Sequence, residues 1–204
     1  MFKKMFTATA CTLVLAGVAS GQELTVNGGF ETGDTTGWTS FPTANSTFNI
    51  TSDSNSGAWA AEVFNNDPGS SAVVQQLNIG VGAVSPGDPI AISFAAKGEG
   101  AIGGVAFAEF FSEIDGGGVS STEILGGAPL PLTSDYQTFT FNAVAGADVS
   151  GGVTLQFAAV TGADQGSVSV LFIDDASVTV VPEPTTAALA GLGGLALLGR
   201  RRRR

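Results

Sequence analysis

This 204-residue chain has no histidine and a single cysteine, Cys11. A Ser-His-Asp triad, a Cys-His pair and a histidine-ligated zinc or iron site are therefore excluded within it. What remains are carboxylates, which work in pairs as acids and bases or hold a hard cation through oxygen. Glu109 and Glu113 sit four residues apart, on one face if the segment is a strand. That spacing is about 13 Å, beyond the roughly 5–9.5 Å between the two carboxyls of a glycosidase.

Glu113-Ile114-Asp115 starts like the Glu-x-Asp-x-x-Glu strand of β-sandwich glycoside hydrolases, but Gly118 stands where the second glutamate belongs. The run Gly116-Gly117-Gly118 breaks the strand into a turn, so the chain reads as no enzyme. Asp53-Ser54-Asn55-Ser56-Gly57 starts like a calcium loop, yet Ala58 replaces the glycine such a loop needs, and it reads as a polar turn.

These carboxylates lie on segments that alternate apolar and polar with period two, as in Ile90–Phe94, Phe139–Ala143 and Val153–Phe157. Leu24–Asn27, Ser46–Thr51, Ala58–Phe64, Ala72–Leu77, Val105–Phe111 and Val168–Val181 complete the set, with turns such as Asn65–Gly69 and Ser85–Asp88 between them. Nine to eleven such strands, with no helical period before residue 185, predict an all-β fold. It should be a two-sheet antiparallel β-sandwich over 22–180. Trp38 and Trp59 read as core residues. With two Trp and one Tyr in all, the usual sugar-stacking equipment is scarce.

Lys3 and Lys4, an apolar run from Ala8 to Val18 and the small residues Ala19, Ser20 and Gly21 read as an export signal over 1–21. Its removal takes Cys11 with it, so the exported part has no thiol to form a disulfide. From Gln22 to Pro184, Lys97 is the single cation against all 18 acidic residues. That field repels nucleic acid and attracts cations such as calcium.

The C-terminal 181–204 has three parts: Val181-Pro182-Glu183-Pro184, an apolar stretch over 185–199, and Arg200, Arg201, Arg202, Arg203 and Arg204. The prolines end the preceding strand. Fifteen helical residues rise about 22 Å, a short transmembrane helix, and the arginines resist translocation. This order resembles the PEP-CTERM sorting signal. The resemblance implies an exosortase-type membrane protease as partner, processing near Pro182-Glu183-Pro184, and transient membrane anchoring. It places the protein in the cell envelope, at the cell surface or in the extracellular matrix of a Gram-negative bacterium that makes exopolysaccharide.

Leu24-Thr-Val-Asn27-Gly28-Gly29-Phe30-Glu31, Gly37-Trp38-Thr39 and Leu171–Val178 together resemble the CenC-type, galactose-binding-like jelly-roll modules. Val74–Leu77, Ile92–Lys97 and Tyr136–Phe141 follow in the same order. The resemblance implies that the first and last strands meet and that a structural Ca²⁺ sits between Glu31 and Asp174; loop carbonyls such as those of Asn27 or Gly29 can supply further oxygens. The function expected is a non-enzymatic surface or matrix protein with a structural or adhesive domain. The alternative is a carbohydrate-binding module that holds exopolysaccharide.

Overall fold

The computed structural model describes residues 21–182; residues 1–20 of the expected export signal over 1–21 and the apolar and arginine segments of the tail lie outside them. Eleven strands form: β1 (Gln22–Glu23), β2 (Thr39–Phe41), β3 (Ser46–Thr51), β4 (Ala60–Asn65), β5 (Ser71–Ile79), β6 (Pro89–Ala101), β7 (Val105–Glu113), β8 (Val119–Ile124), β9 (Gln137–Val144), β10 (Gly152–Val160) and β11 (Val168–Val180). The only helical turn among the described residues is the 3₁₀ segment Leu125–Gly127.

The strands make two antiparallel sheets. One runs β3-β4-β11-β6-β9 with β1 added against β11, and the other runs β2-β5-β10-β7-β8. This is the two-sheet sandwich that the alternating pattern calls for, with the jelly-roll form that the module resemblance implies. On β7, residues from Val105 to Glu113 alternate without exception between half-buried and buried, which places Ala106, Ala108 and Phe110 inside and Phe107, Glu109 and Phe111 outside.

The sheets close on Phe30, Phe94, Phe110, Phe157, Leu155, Leu171 and Ile173, all fully buried. Phe94 meets Phe157 edge-on across the sandwich at 4.8 Å between centroids, a geometry that aligns ring edge with ring face. Burying each such side chain contributes about 1.5–3 kcal/mol. The core lies entirely between Leu24 and Val178, and among the described residues every buried side-chain polar atom has a partner. Gly21–Pro182 is one compact unit with its own core.

Leu24–Asn27, expected as a strand, is not one. The ladder with β11 ends at Glu23 but for one further bond, from the Leu24 N–H to the Val178 carbonyl, and Val26 instead bonds the buried Gln76 side chain in both directions. That amide stands in for a neighbouring strand. Asn27 then turns the chain with φ of 53°. Three strands had no forecast: β1, which ends just before the expected Leu24–Asn27, β2, only three residues long, and β8, whose Ser- and Thr-rich sequence shows no apolar alternation.

Candidate functional site

The first and last segments do meet. Gly28 accepts from the Ala176 N–H at 3.0 Å, and a Cβ on Gly28 would stand 1.8 Å from the Ala176 carbonyl. Only glycine allows that approach.

Around this junction three carboxylates hold the loop that precedes β4. The N–H groups of Asn55 and Ser56 donate to Asp174 Oδ2 at 2.8 and 3.0 Å. Asp175 receives Asn55 Nδ2 at 2.8 Å and Ser56 Oγ at 2.6 Å. Glu31 Oε1 receives Ala58 N and Trp59 N, both at 3.0 Å. The polar turn read at Asp53–Gly57 is therefore the object these acids grip.

Asp174 is fully buried. Burial pushes its carboxyl above the ordinary carboxylate range, against the hydrogen bonds from Ser56, Asp175 and Asn55, and the charge of Asp175 adds to the rise. Positive φ at Asn27, Phe30 and Asp175, from 50° to 56°, concentrates backbone strain at the same place. A Cβ on Gly29 would lie 3.6 Å from Asp174 Oδ1 and 3.7 Å from Asp175 Oδ1, so both oxygens face the space beside this glycine.

Hard oxygens around a space left open by glycine suit a Ca²⁺ ion in donor type. Among the described residues no three acidic groups converge on one point, so carbonyls and water would complete the shell. Among the described residues the Gly29 carbonyl accepts no turn or loop backbone bond. The Asn27 carbonyl already accepts Trp38 Nε1 and the Phe30 N–H, both at 3.1 Å.

Lys97 ties the same loop to the six-stranded sheet. Its ammonium lies 2.6 Å from Asp53 and over the rings of Tyr136 and Phe172 at 4.8 and 5.0 Å. The Tyr136 hydroxyl donates to the Asp53 carbonyl at 2.7 Å. Burial first, and then the charges of Asp174, Asp53 and Asp175, hold that phenol well above its ordinary value.

The outer face of the five-stranded sheet carries a feature that sequence reading passed over. Strand register brings Thr39, Gln75, Gln156, Glu109 and Ile124 into one row across all five strands. Gln75 donates to Gln156, and Gln156 donates to Glu109. Above this row lie Phe41, Val73, Ala158 and Phe107; below it lie Thr154, Phe111 and Thr122. Phe107 and Phe111 are half-buried, and Phe41 is 48% exposed. The signal was present in the polar positions of β5, β7 and β10, but a count of Trp and Tyr alone ignores 14 phenylalanines.

Trp38 is a core residue, 7% exposed and stacked on Phe30 at 5.2 Å. Trp59, expected in the core, is instead 38% exposed. It precedes β4 and lies against Gly33, with its N–H held by Glu31. Glu109 and Glu113 both face outward on β7, and β7 ends at Glu113 in a turn where Gly117 donates to Ile114. Val181 donates to Pro89 at 2.9 Å, and Pro182 is the last described residue. Glu183, Pro184, the helix expected over 185–199 and Arg200–Arg204 lie outside the described residues. Among those described, no helix is long and apolar enough to cross a membrane.

Residues 180–204 match the PEP-CTERM protein-sorting motif. No curated protein matches the chain. Among solved structures, the CBM22-1 xylan-binding domain of Xyn10C from Paenibacillus barcinonensis superposes with a TM-score of 0.57 at 12% identity. That match covers 82% of this chain and 100% of the other. TmCBM61, solved in complex with beta-1,4-galactotriose, gives 0.51 at 18% identity over 78% of this chain and 99% of its own. The enzymatically active domain of bacteriophage CBA120 tailspike protein 4 gives 0.59 at 14% identity over 78% of this chain. This chain spans only 21% of that tailspike domain.

At these identities the likeness establishes the fold. The described domain has the jelly-roll architecture of carbohydrate-binding modules. The chain as a whole carries a PEP-CTERM sorting signal, which marks an exported, cell-envelope-associated protein.

Proposed function

We propose that the domain is a glycan-binding module that holds a neutral polysaccharide on the outer face of its five-stranded sheet. The observation that carries this reading is the hydrogen-bonded row Gln75–Gln156–Glu109 between Phe107 and Phe111. A pyranose ring offers a C–H face to an aromatic ring and hydroxyls that both donate and accept. The amides match both roles, and the carboxylate accepts. The rows described on this face contain no cation, and Glu109 opposes uronate or sulfate groups, which selects against acidic glycans.

An adhesive role follows directly, because a module that holds exopolysaccharide ties the cell envelope to its matrix. The activity is binding without turnover. Glu113 leads into a glycine turn rather than toward a second glutamate, and the spacing from Glu109 to Glu113 is that of a strand, not of a hydrolytic pair. The sorting tail would be processed by an exosortase-type protease near Pro182-Glu183-Pro184 in a Gram-negative envelope. A Ca²⁺ held by Glu31 and Asp174 with the Gly29 carbonyl would neutralise buried charge and brace the loop before β4.

Retention of the segment 22–182 on insoluble and gel-embedded polysaccharides, with calcium and with EDTA, tests the reading. Retention on at least one neutral glycan that is lost in Gln156→Ala supports it. No retention on any neutral glycan, or retention unchanged in Gln156→Ala, overturns it.

A further inference from the structure

Among the described residues, the six-stranded sheet ends in β9, whose backbone bonds only to β6. No described turn or loop backbone group reaches Gln137–Val144. The outer N–H and C=O groups of an eight-residue strand are thus left for water or another strand.

Natural edges of this kind usually carry charge, proline or a bulge. β9 has none of them: its pairing with β6 is continuous, and from Tyr136 to Ala147 the chain holds no charged residue and no proline. In a domain this acidic, the stretch is a place where two copies approach without opposing carboxylates. The other edges differ. β2 is three residues long and runs into Pro42, and β8 carries Glu123. β3 is uncharged, but it leads into the loop gripped by Glu31, Asp174 and Asp175.

The side chains of β9 point the same way. Phe139 and Phe141 face the core and stack on Phe94 at 5.4 and 6.0 Å, and both are half-buried at the sheet edge, Phe141 beside Gly126. Thr138, Thr140 and Asn142 face outward and are exposed.

We infer that two copies of this domain pair through β9, antiparallel about a two-fold axis at Thr140, joining their six-stranded sheets into one. The sequence is self-complementary in that register. Phe139 of each copy faces Phe141 of the other, Thr138 faces Asn142, and Thr140 faces its own counterpart, all favourable cross-strand pairs. The interface is isologous and closes at two copies. It leaves the Gln75–Gln156–Glu109 faces free, so it stands independently of the glycan reading.

Sedimentation equilibrium of the segment 22–182 tests the pairing. The expected result is a mass of two chains that becomes one in Thr138→Lys/Thr140→Lys, while Thr47→Lys on β3 keeps the mass of two. A parent of single-chain mass at every concentration, a dimer that survives both lysines, or a dimer equally lost in Thr47→Lys overturns it. A second variant guards against a folding defect. The segment has no cysteine, and opposed residues of an antiparallel pair lie within disulfide reach. Under added diamide, which takes up the two thiol hydrogens, Thr140→Cys gives a covalent dimer and Thr47→Cys does not. Failure of Thr140→Cys to cross-link overturns the register.

Discussion

Asp174 and Asp175, consecutive in β11, close on the same two residues, Asn55 and Ser56. In an unbroken strand neighbouring side chains point to opposite faces. Here the register against β6 slips between Asp174 and Ser177, and Asp175 turns with φ of 50°, which brings both carboxylates to one side. The bulge is what converts a sheet strand into a clamp.

Because Asp174 accepts three N–H bonds while fully buried, Asp174→Asn should cost about 1–3 kcal/mol in EDTA, read by thermal melting. Calcium should raise the melting point of the parent and leave Asp174→Asn and Glu31→Gln unmoved. Equal calcium shifts in parent and variants would remove the ion from the account.

Gln156 bridges Gln75 and Glu109, so Gln156→Ala should weaken glycan binding by tenfold or more, about 1.4 kcal/mol. Phe111→Ala should act similarly through lost ring contact, and Trp38→Ala should reduce stability rather than affinity. Isothermal titration with a soluble oligosaccharide separates the two effects.

Burial alone would raise the Glu23 carboxyl, but hydrogen bonds from Ser177, Thr25 and Val178 overcome it and leave it below its ordinary value. A depressed folded value means that its contribution is complete above the ordinary glutamate range and is lost as pH falls through the folded value. Glu23→Gln should lower the melting point at neutral pH and narrow the gap from the parent as the pH drops below that range. A pH series of melting curves checks it.

Gly28 touches the Ala176 carbonyl so closely that no side chain fits. Gly28→Ala should cost about 3 kcal/mol, seen as a lower denaturation midpoint. An unchanged midpoint would mean that the first segment does not dock on β11 as described.

Between residues 22 and 182 the chain has one lysine and no arginine. Lys97 lies inside β6, ion-paired with Asp53 and stacked on two rings. Trypsin should therefore leave the folded domain intact and cut at Lys97 only in denaturant. Gel electrophoresis with mass measurement of the fragments decides it.

Much of this protein was legible before folding. Period-two alternation in Ile90–Phe94, Phe139–Ala143 and Val153–Phe157 marks strands because one buried face imposes it, and all three lie within strands of the sandwich. The meeting of the Glu31 and Asp174 segments came from motif resemblance. Leu24–Asn27 failed as a strand because a glutamine side chain, from a segment 50 residues away, replaces the neighbour that pattern alone assumes. Trp59 failed as a core residue because its place was set by the Glu31 grip on the loop before β4, not by alternation.

By itself the sequence determined class and address. Absent histidine excludes histidine-ligated metal sites and the Ser-His-Asp triad, period two dictates sheets, and the ordered tail spells a sorting signal, and each is read without knowing which strands become neighbours. Only the tertiary structure decided that Gln75, Gln156 and Glu109, up to 81 positions apart, share one row, and that β9 is left at an edge. Both depend on which strands become neighbours. That choice follows from burying two sheets' worth of apolar side chains at once, so no short window of sequence contains it.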